Sequence, residues 1–220
     1  MDGGDFIASS GSPLFFVSYA RGSRVPTPAP PKDPDEHVLR FFGDLVTHVN
    51  ELVSPPTGVD IGFIDRSIDG GERWRDELLS AARTCQVFVP LISPKYPRSE
   101  WCMREWETFA LRKIHKRDPT SLGSETAIVP VNWVPTNLGS LPGMIQDIQF
   151  FVPEGLPVGT MAENYRHNGL YGLLITRQDD AYANVVWKLA QRVADICDRH
   201  WVEPMPAQRR SRRRRPKGTT

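Results

Sequence analysis

The stretch PRSEWCMREWETFALRK, residues 97–113, carries the two side chains best suited to chemistry, Trp101 and Glu105. They are four residues apart in a predicted helix, so they share one face of it. An aromatic plane next to a carboxylate can stack on a flat ring while the acid engages a neighbouring group. The same pair would also suit a purely structural role, because a Glu on a helix is usually solvated and a Trp usually packs in the hydrophobic core. Which of these two roles the pair has depends on where the helix lies in the fold.

Strands alternate with helices along the chain. The predicted strands are short apolar runs, and the predicted helices carry apolar residues at a 3.6-residue period. The strands are 14–19, 59–65, 86–93 and 126–134, and a fifth short strand follows a helical turn within 144–152. The helices are 36–53, 72–85, about 99–116 and 179–201, and residues 153–169 are irregular or partly helical. This alternation predicts βαβ units and a mainly parallel sheet.

A site in such a sheet is expected outside the carboxyl ends of the strands. Those ends are followed here by three segments: the loop that begins ARGSR after Tyr19, the loop RSIDGG at 66–71, and the start of the helix after Ser93. Ser99 is the predicted N-cap of that helix, with Glu100 complementing the helix dipole. The helix with Trp101 and Glu105 therefore begins where a site is expected. Asp65, Ser18 and Tyr19 have the types expected of structural residues at strand ends.

Composition excludes several classes of protein. The chain has 220 residues, 40% of them hydrophobic, and no apolar run approaches the length of a membrane span. Its N-terminus begins acidic and lacks the pattern of a signal peptide, so we expect a soluble, cytoplasmic protein. The three cysteines, Cys85, Cys102 and Cys197, are too widely spaced for a disulfide framework or a metal cluster, and we expect them to act as small buried hydrophobes. The five histidines form no spaced cluster, so no metal site is predicted.

The net charge of +1 hides an asymmetry between the body and the C-terminus. From Arg209 onward the chain holds six Arg, one Lys and no acid, which leaves 20 basic and 26 acidic residues in the rest. We expect a flexible N-terminus at 1–12, a folded domain at 13–202 and a disordered basic tail at 203–220. The tail could contact nucleic acid, an anionic membrane or an acidic partner, or could simply be solvated.

Three segments together resemble the TIR (Toll/interleukin-1 receptor) domain family. FFVSYARG resembles its first box, FIDRSIDGGERWRDELLSAARTCQVFVPLISPKY its second strand, loop, helix and third strand, and SEWCMREW the Trp-Cys-x-x-Glu segment that opens the next helix. The resemblance covers about residues 13–200. It implies a flavodoxin-like three-layer α/β fold with a mainly parallel five-stranded sheet. The Pro-rich insert after SYARG and the extended region 135–178 look like the TIR-like proteins of actinobacteria.

TIR domains are of two functional kinds, and the resemblance leaves both open. Some cleave NAD at the nicotinamide–ribose bond, and others only assemble with further TIR domains or partner proteins. The enzymatic kind implies Glu105 as the catalytic residue, with Arg21, Trp74 and Trp101 as substrate-binding residues. NAD would then be the substrate, with no cofactor, and the loop 66–71 would contact a neighbouring subunit of a homo-oligomer.

Three functions are consistent with these residues. The first is an NAD nucleosidase in bacterial signalling or defence, which would act when oligomerised. The second is a non-catalytic TIR module that assembles with other TIR domains or a signalling partner. The third is a nucleoside-processing enzyme of related topology, such as a deoxyribosyltransferase, which also places a glutamate on a sugar; the chain lacks the signatures of that family.

Overall fold

The computed structural model describes residues 12–22, 33–55, 58–64, 79–118, 120, 126–156 and 161–206. Within them the strands are β1 (Phe15–Tyr19), β2 (Gly62–Ile64), β3 (Val87–Ile92), β4 (Ile114–Lys116), β5 (Val131–Asn132) and β6 (His200–Val202). The helices are α1 (Glu36–Leu52), α2 (described over 79–84), α3 (Glu100–Ala110), α4 (Gly143–Gln146), α5 (Met161–Ile175) and α6 (Asp179–Arg199). Short 3₁₀ turns occur at Tyr96–Arg98 and Leu138–Ser140.

The main sheet is parallel and has the strand order β2-β1-β3-β5. β1 lies between β2 and β3, and it pairs with β3 along its full length, from Phe15 with Val87 to Tyr19 with Leu91. The predicted parallel α/β fold is thus confirmed, with four strands rather than five in the described part of the chain. Residues 147–152 form no strand, although Phe151 donates its backbone N–H to the Pro130 carbonyl at 2.8 Å. A single hydrogen bond of this kind does not make the segment a strand of the sheet.

Helices cover both faces of the sheet. Phe15 and Phe16 are adjacent in β1, so their side chains point to opposite faces. Phe15 meets the ring of Phe42 on α1 at 6.0 Å, whereas Phe16 meets Phe88 of β3 at 5.7 Å. Phe88 in turn stacks on Phe109 of α3 at 5.4 Å. Both central strands are completely buried, as their continuous apolar sequences predict.

The predicted C-terminal ends of two helices are wrong, because a second, two-stranded sheet forms there. α3 ends at Ala110, not near 116, and β4 follows as a strand paired antiparallel with β6. The final helix likewise ends at Arg199, and β6 continues from it. Arg112 lies between α3 and β4, and its guanidinium points inward and donates to the carbonyl oxygens of Cys85 and Val202. A helix continuing past Ala110 would carry this side chain away from those acceptors.

The segment predicted as irregular or partly helical contains most of α5, which is kinked at Gly169. This glycine has φ 66° and ψ 173°, a conformation that side chains other than hydrogen strongly disfavour. A Cβ at Gly169 would lie 2.5 Å from the carbonyl oxygen of Trp133. The kink therefore lets the helix approach the chain directly after β5. No helix among the described residues has the length and apolar character needed to cross a membrane.

Candidate active site

The candidate site lies at the carboxyl ends of β1 and β3, where α3 begins. β1 ends with Ser18 and Tyr19, and β3 is followed by the 3₁₀ turn that contains Tyr96. The Ser99 side chain then caps α3 by accepting a hydrogen bond from the Cys102 backbone N–H at 3.3 Å, as predicted. Parallel strands bring these ends to one edge of the sheet, which is where such folds place their sites.

Glu105 is buried, with 4% of its surface exposed. The Ser18 hydroxyl donates a 2.5 Å hydrogen bond to its Oε2 atom. Burying a carboxylate is costly unless donors replace the lost water, and a hydroxyl this close is a strong replacement. The helix face shared by Cys102, Trp106 and Phe109 directs Glu105 towards the sheet. The candidate catalytic residue is thus part of the packed interior, not a solvated helix side chain.

Tyr96 supplies a second hydroxyl at the same place. Its ring is fully buried, and its Oη lies 2.9 Å from Ser18 Oγ. Burial is the main cause that raises the Tyr96 pKa well above its ordinary value, and the neighbouring acidic groups of Cys102 and Glu105 would repel the phenolate and raise it further. The phenol therefore stays protonated at neutral pH and can donate. Tyr96 could not be predicted as a site residue from the sequence, because a tyrosine between two prolines in a loop carries no periodic signal.

Cys102 is a thiol, not a thiolate, at neutral pH. Burial is the main cause that raises its pKa to about 12, and the charge of Glu105 adds to the effect. Nucleophilic cysteines depend on the opposite change, a pKa brought down by cations or a helix N-terminus. Among the ionisable groups on the buried face of α3, the carboxylate of Glu105 is the better candidate for chemistry.

Trp101 is half-buried and lies one helical turn before Glu105. The guanidinium carbon of Arg104 lies 5.1 Å from the centre of its ring, within the range of a cation–π contact. The indole is therefore a partly exposed aromatic surface beside the turn that contains the buried acid. That arrangement suits a stacking platform better than a core residue.

Arg21 is half-buried and comes two residues after β1. The Asp35 carboxylate accepts hydrogen bonds from residues on both sides of Arg21, from the Tyr19 side chain and from the Gly22 backbone. Tyr19 Oη donates to Asp35 Oδ2 at 3.1 Å, and the Gly22 backbone N–H donates to Asp35 Oδ1 at 3.2 Å. A Cβ at Gly22 would lie 2.7 Å from the side chain of Pro34, so the two ends of the Pro-rich insert are in close contact. Asp35 was not predicted as a site residue, although it fixes the position from which Arg21 extends.

Several predicted features fall outside the described residues: Trp74, Asp65 and the loop 66–71. Of the four predicted site residues, the structure brings Trp101 and Glu105 together on α3 and places Arg21 after the strand whose Ser18 contacts Glu105. Within the described ranges, no group of three or more His, Cys, Asp or Glu side chains is arranged to hold a metal ion.

Two comparisons with known proteins bear on this site. Residues 45–153, about half of the chain, match the family model described as TIR domain. Over 98 residues the chain is 32% identical to a protein of Brachypodium distachyon named "Probable 2' cyclic ADP-D-ribose synthase BdTIR". That alignment covers 43% of this chain and only 38% of the plant protein. The family match includes Trp101 and Glu105 and begins after Arg21.

Proposed function

We propose that this chain, which matches the TIR domain model over residues 45–153, cleaves NAD at the nicotinamide–ribose bond when assembled into oligomers. The observation that carries the proposal is the Glu105 carboxylate, held by Ser18 at the carboxyl edge of a parallel sheet. The name of the plant relative supports it, because an ADP-ribose product forms from NAD only when nicotinamide leaves. The Pro-rich insert after SYARG and the extended region 135–178 resemble bacterial TIR-like proteins, so the proposal extends to a role in bacterial signalling or defence.

The chemistry needs few groups. The nicotinamide nitrogen is cationic in NAD and leaves neutral, so no general acid has to protonate it, unlike in ordinary glycoside hydrolysis. One carboxylate stabilises the positive charge that develops on the ribose, and a preorganised group of this kind contributes about 10²–10³ in rate. Glu105 performs this role through its charge or acts as a nucleophile on the ribose carbon. The reduced acidity of Cys102 leaves that thiol unsuited to the same attack.

The remaining predicted residues would bind NAD. Trp101 offers an aromatic face one turn from Glu105 and stacks on a flat ring of the substrate. Arg21 binds phosphate from its place after β1, where Asp35 accepts hydrogen bonds from the neighbouring Tyr19 and Gly22. Trp74 stacks on another part of NAD, and the loop 66–71 contacts a neighbouring subunit.

Nicotinamide release from NAD by the purified protein tests the proposal. Protein concentration and a crowding agent are varied, since activity depends on assembly. We expect Glu105→Gln to lower the rate by at least about 10²-fold. Glu107→Gln is the matched control, because Glu107 is exposed on the same helix two residues away. An assembled wild-type protein that releases no nicotinamide, or a Glu105→Gln variant as active as wild type, contradicts the proposal.

A second function, a non-catalytic TIR interaction module, is favoured by the burial of Glu105. A carboxylate that is only 4% exposed and bonded to Ser18 also satisfies the requirements of a structural residue. Signalling that survives Glu105→Ala but is lost in Gly70→Pro would favour this function. Signalling retained in both variants would exclude it.

A further inference from the structure

Three polar side chains from separate parts of the chain are linked by hydrogen bonds at the candidate site. Tyr96 follows β3, Ser18 ends β1, and Glu105 lies on α3. Ser18 Oγ is 2.9 Å from Tyr96 Oη and 2.5 Å from Glu105 Oε2. Ser18 is 1% exposed and Tyr96 is completely buried, so bulk water does not compete for these contacts.

The direction of both hydrogen bonds follows from the proton count. An ionised carboxylate only accepts, so the single hydroxyl hydrogen of Ser18 points to Glu105. Ser18 Oγ is then left as the acceptor for the hydroxyl hydrogen of Tyr96. The other acceptor near Tyr96 Oη is the Cys102 carbonyl oxygen at 3.5 Å, a distance at which hydrogen bonds are weak. Tyr96 therefore orients Ser18, and Ser18 orients Glu105.

We propose, on the premise that Glu105 is the catalytic carboxylate, that Ser18 and Tyr96 are its positioning residues. Ser18 binds the carboxylate at Oε2 and so holds the group in one orientation relative to the ribose. Tyr96 does not reach the substrate; it acts through Ser18. A buried hydroxyl pair that merely completed the packing would contribute to stability and have no effect on the charge state of Glu105.

Loss of the Ser18 hydroxyl has two expected effects on catalysis. The carboxylate gains rotational freedom, and a misplaced catalytic group of this kind costs about 10–100-fold in kcat. The charged form also loses a donor, so the acid limb of the pH–rate profile moves to higher pH. KM stays within about threefold of the wild-type value, because neither hydroxyl contributes to binding NAD in the ground state.

The test compares Ser18→Ala, Tyr96→Phe and the double variant in the nicotinamide-release assay. We expect Tyr96→Phe to lower kcat by about 3–10-fold and the double variant to be no slower than Ser18→Ala, since Tyr96 acts through Ser18. Tyr165→Phe is the matched control, because its hydroxyl is also buried but its partner is the Asn132 backbone N–H and not Ser18. We expect Tyr165→Phe to lower the free energy of unfolding without moving the pH–rate profile. Two results would overturn the proposal. One is a loss of kcat in the double variant equal to the product of the two single losses, and the other is an acid limb of the pH–rate profile that does not move in Ser18→Ala.

An NMR titration distinguishes failure of this inference from failure of the proposed function. The protein is labelled with 13C at the Glu side-chain carboxyl carbon, and the Glu105 signal is assigned by its loss in Glu105→Gln. We expect that signal to titrate at higher pH in Ser18→Ala than in wild type. A wild-type protein without nicotinamide release refutes the proposed function, whatever the titration shows. An active wild type with unchanged titration and kcat in Ser18→Ala refutes the positioning role alone.

Discussion

The hydroxyl of Ser18 and the carboxylate of Glu105 are joined by a 2.5 Å hydrogen bond across 87 residues of sequence. Because Glu105 is almost fully buried, Ser18→Ala leaves a buried acceptor with one donor fewer. We expect the free energy of unfolding to fall by about 1–3 kcal/mol, measured by urea denaturation at pH 7. Ser54→Ala, at an exposed position, should change it by less than about 0.5 kcal/mol. Equal effects of the two substitutions would mean that the bond does not stabilise the fold.

Arg112 joins the end of α3 to the C-terminal strand. Its guanidinium donates to four backbone carbonyl oxygens at 2.6–3.1 Å, those of Ala82, Cys85, Val202 and Glu203. Replacing it by Met leaves these acceptors without their donor. We expect a loss of about 2–4 kcal/mol in the free energy of unfolding, checked by chemical denaturation.

Arg112→Lys should recover little of that loss, because one ammonium group cannot match the spread of a planar guanidinium. Lys113→Met serves as the control, since Lys113 is exposed next to it. Full stability in Arg112→Met would show that water replaces the guanidinium at all four carbonyls.

His200 should make stability depend on pH. It is 6% exposed, and neither ring nitrogen has a hydrogen-bond partner among the described residues. Burial is the main cause that lowers its pKa below the ordinary value of 6.5. The unfolded chain therefore binds a proton more readily than the folded one, and stability falls as pH drops below about 6.5.

Melting temperatures between about pH 5 and pH 8 test this dependence. His200→Phe should reduce the acid-side decline, because it removes the group that binds a proton preferentially in the unfolded state. His167→Gln, at an exposed position, should retain the wild-type slope. An identical decline in wild type and His200→Phe would contradict the prediction.

Local patterns were enough to predict most of the layered fold. The continuous apolar runs of β1 and β3 predicted buried parallel strands, and the 3.6-residue period of residues 36–53 predicted α1. These features are local because strand and helix periodicity reflect which face of an element is buried. The capping role of Ser99 could be predicted for the same reason, since its partner is the backbone three residues later.

The end of α3 could not be predicted in the same way. Ile114 continues the apolar spacing of the helix, so the local pattern favours helix through this region. The structure instead forms β4, because β6 supplies a partner strand about ninety residues later and Arg112 finds its acceptors there. A pairing between distant segments leaves no periodic trace in either one.

The residue spacing is enough to predict that Trp101 and Glu105 share the first turns of a helix that follows a buried strand. Spacing along a helix is a local property, so four residues of separation are sufficient to establish it. The burial of this glutamate and its bond to Ser18, which in turn contacts Tyr96, depend on the three-dimensional fold and could not be predicted from spacing. Those contacts join residues 78 and 87 positions apart, and they exist because the parallel sheet brings the ends of β1 and β3 to one edge.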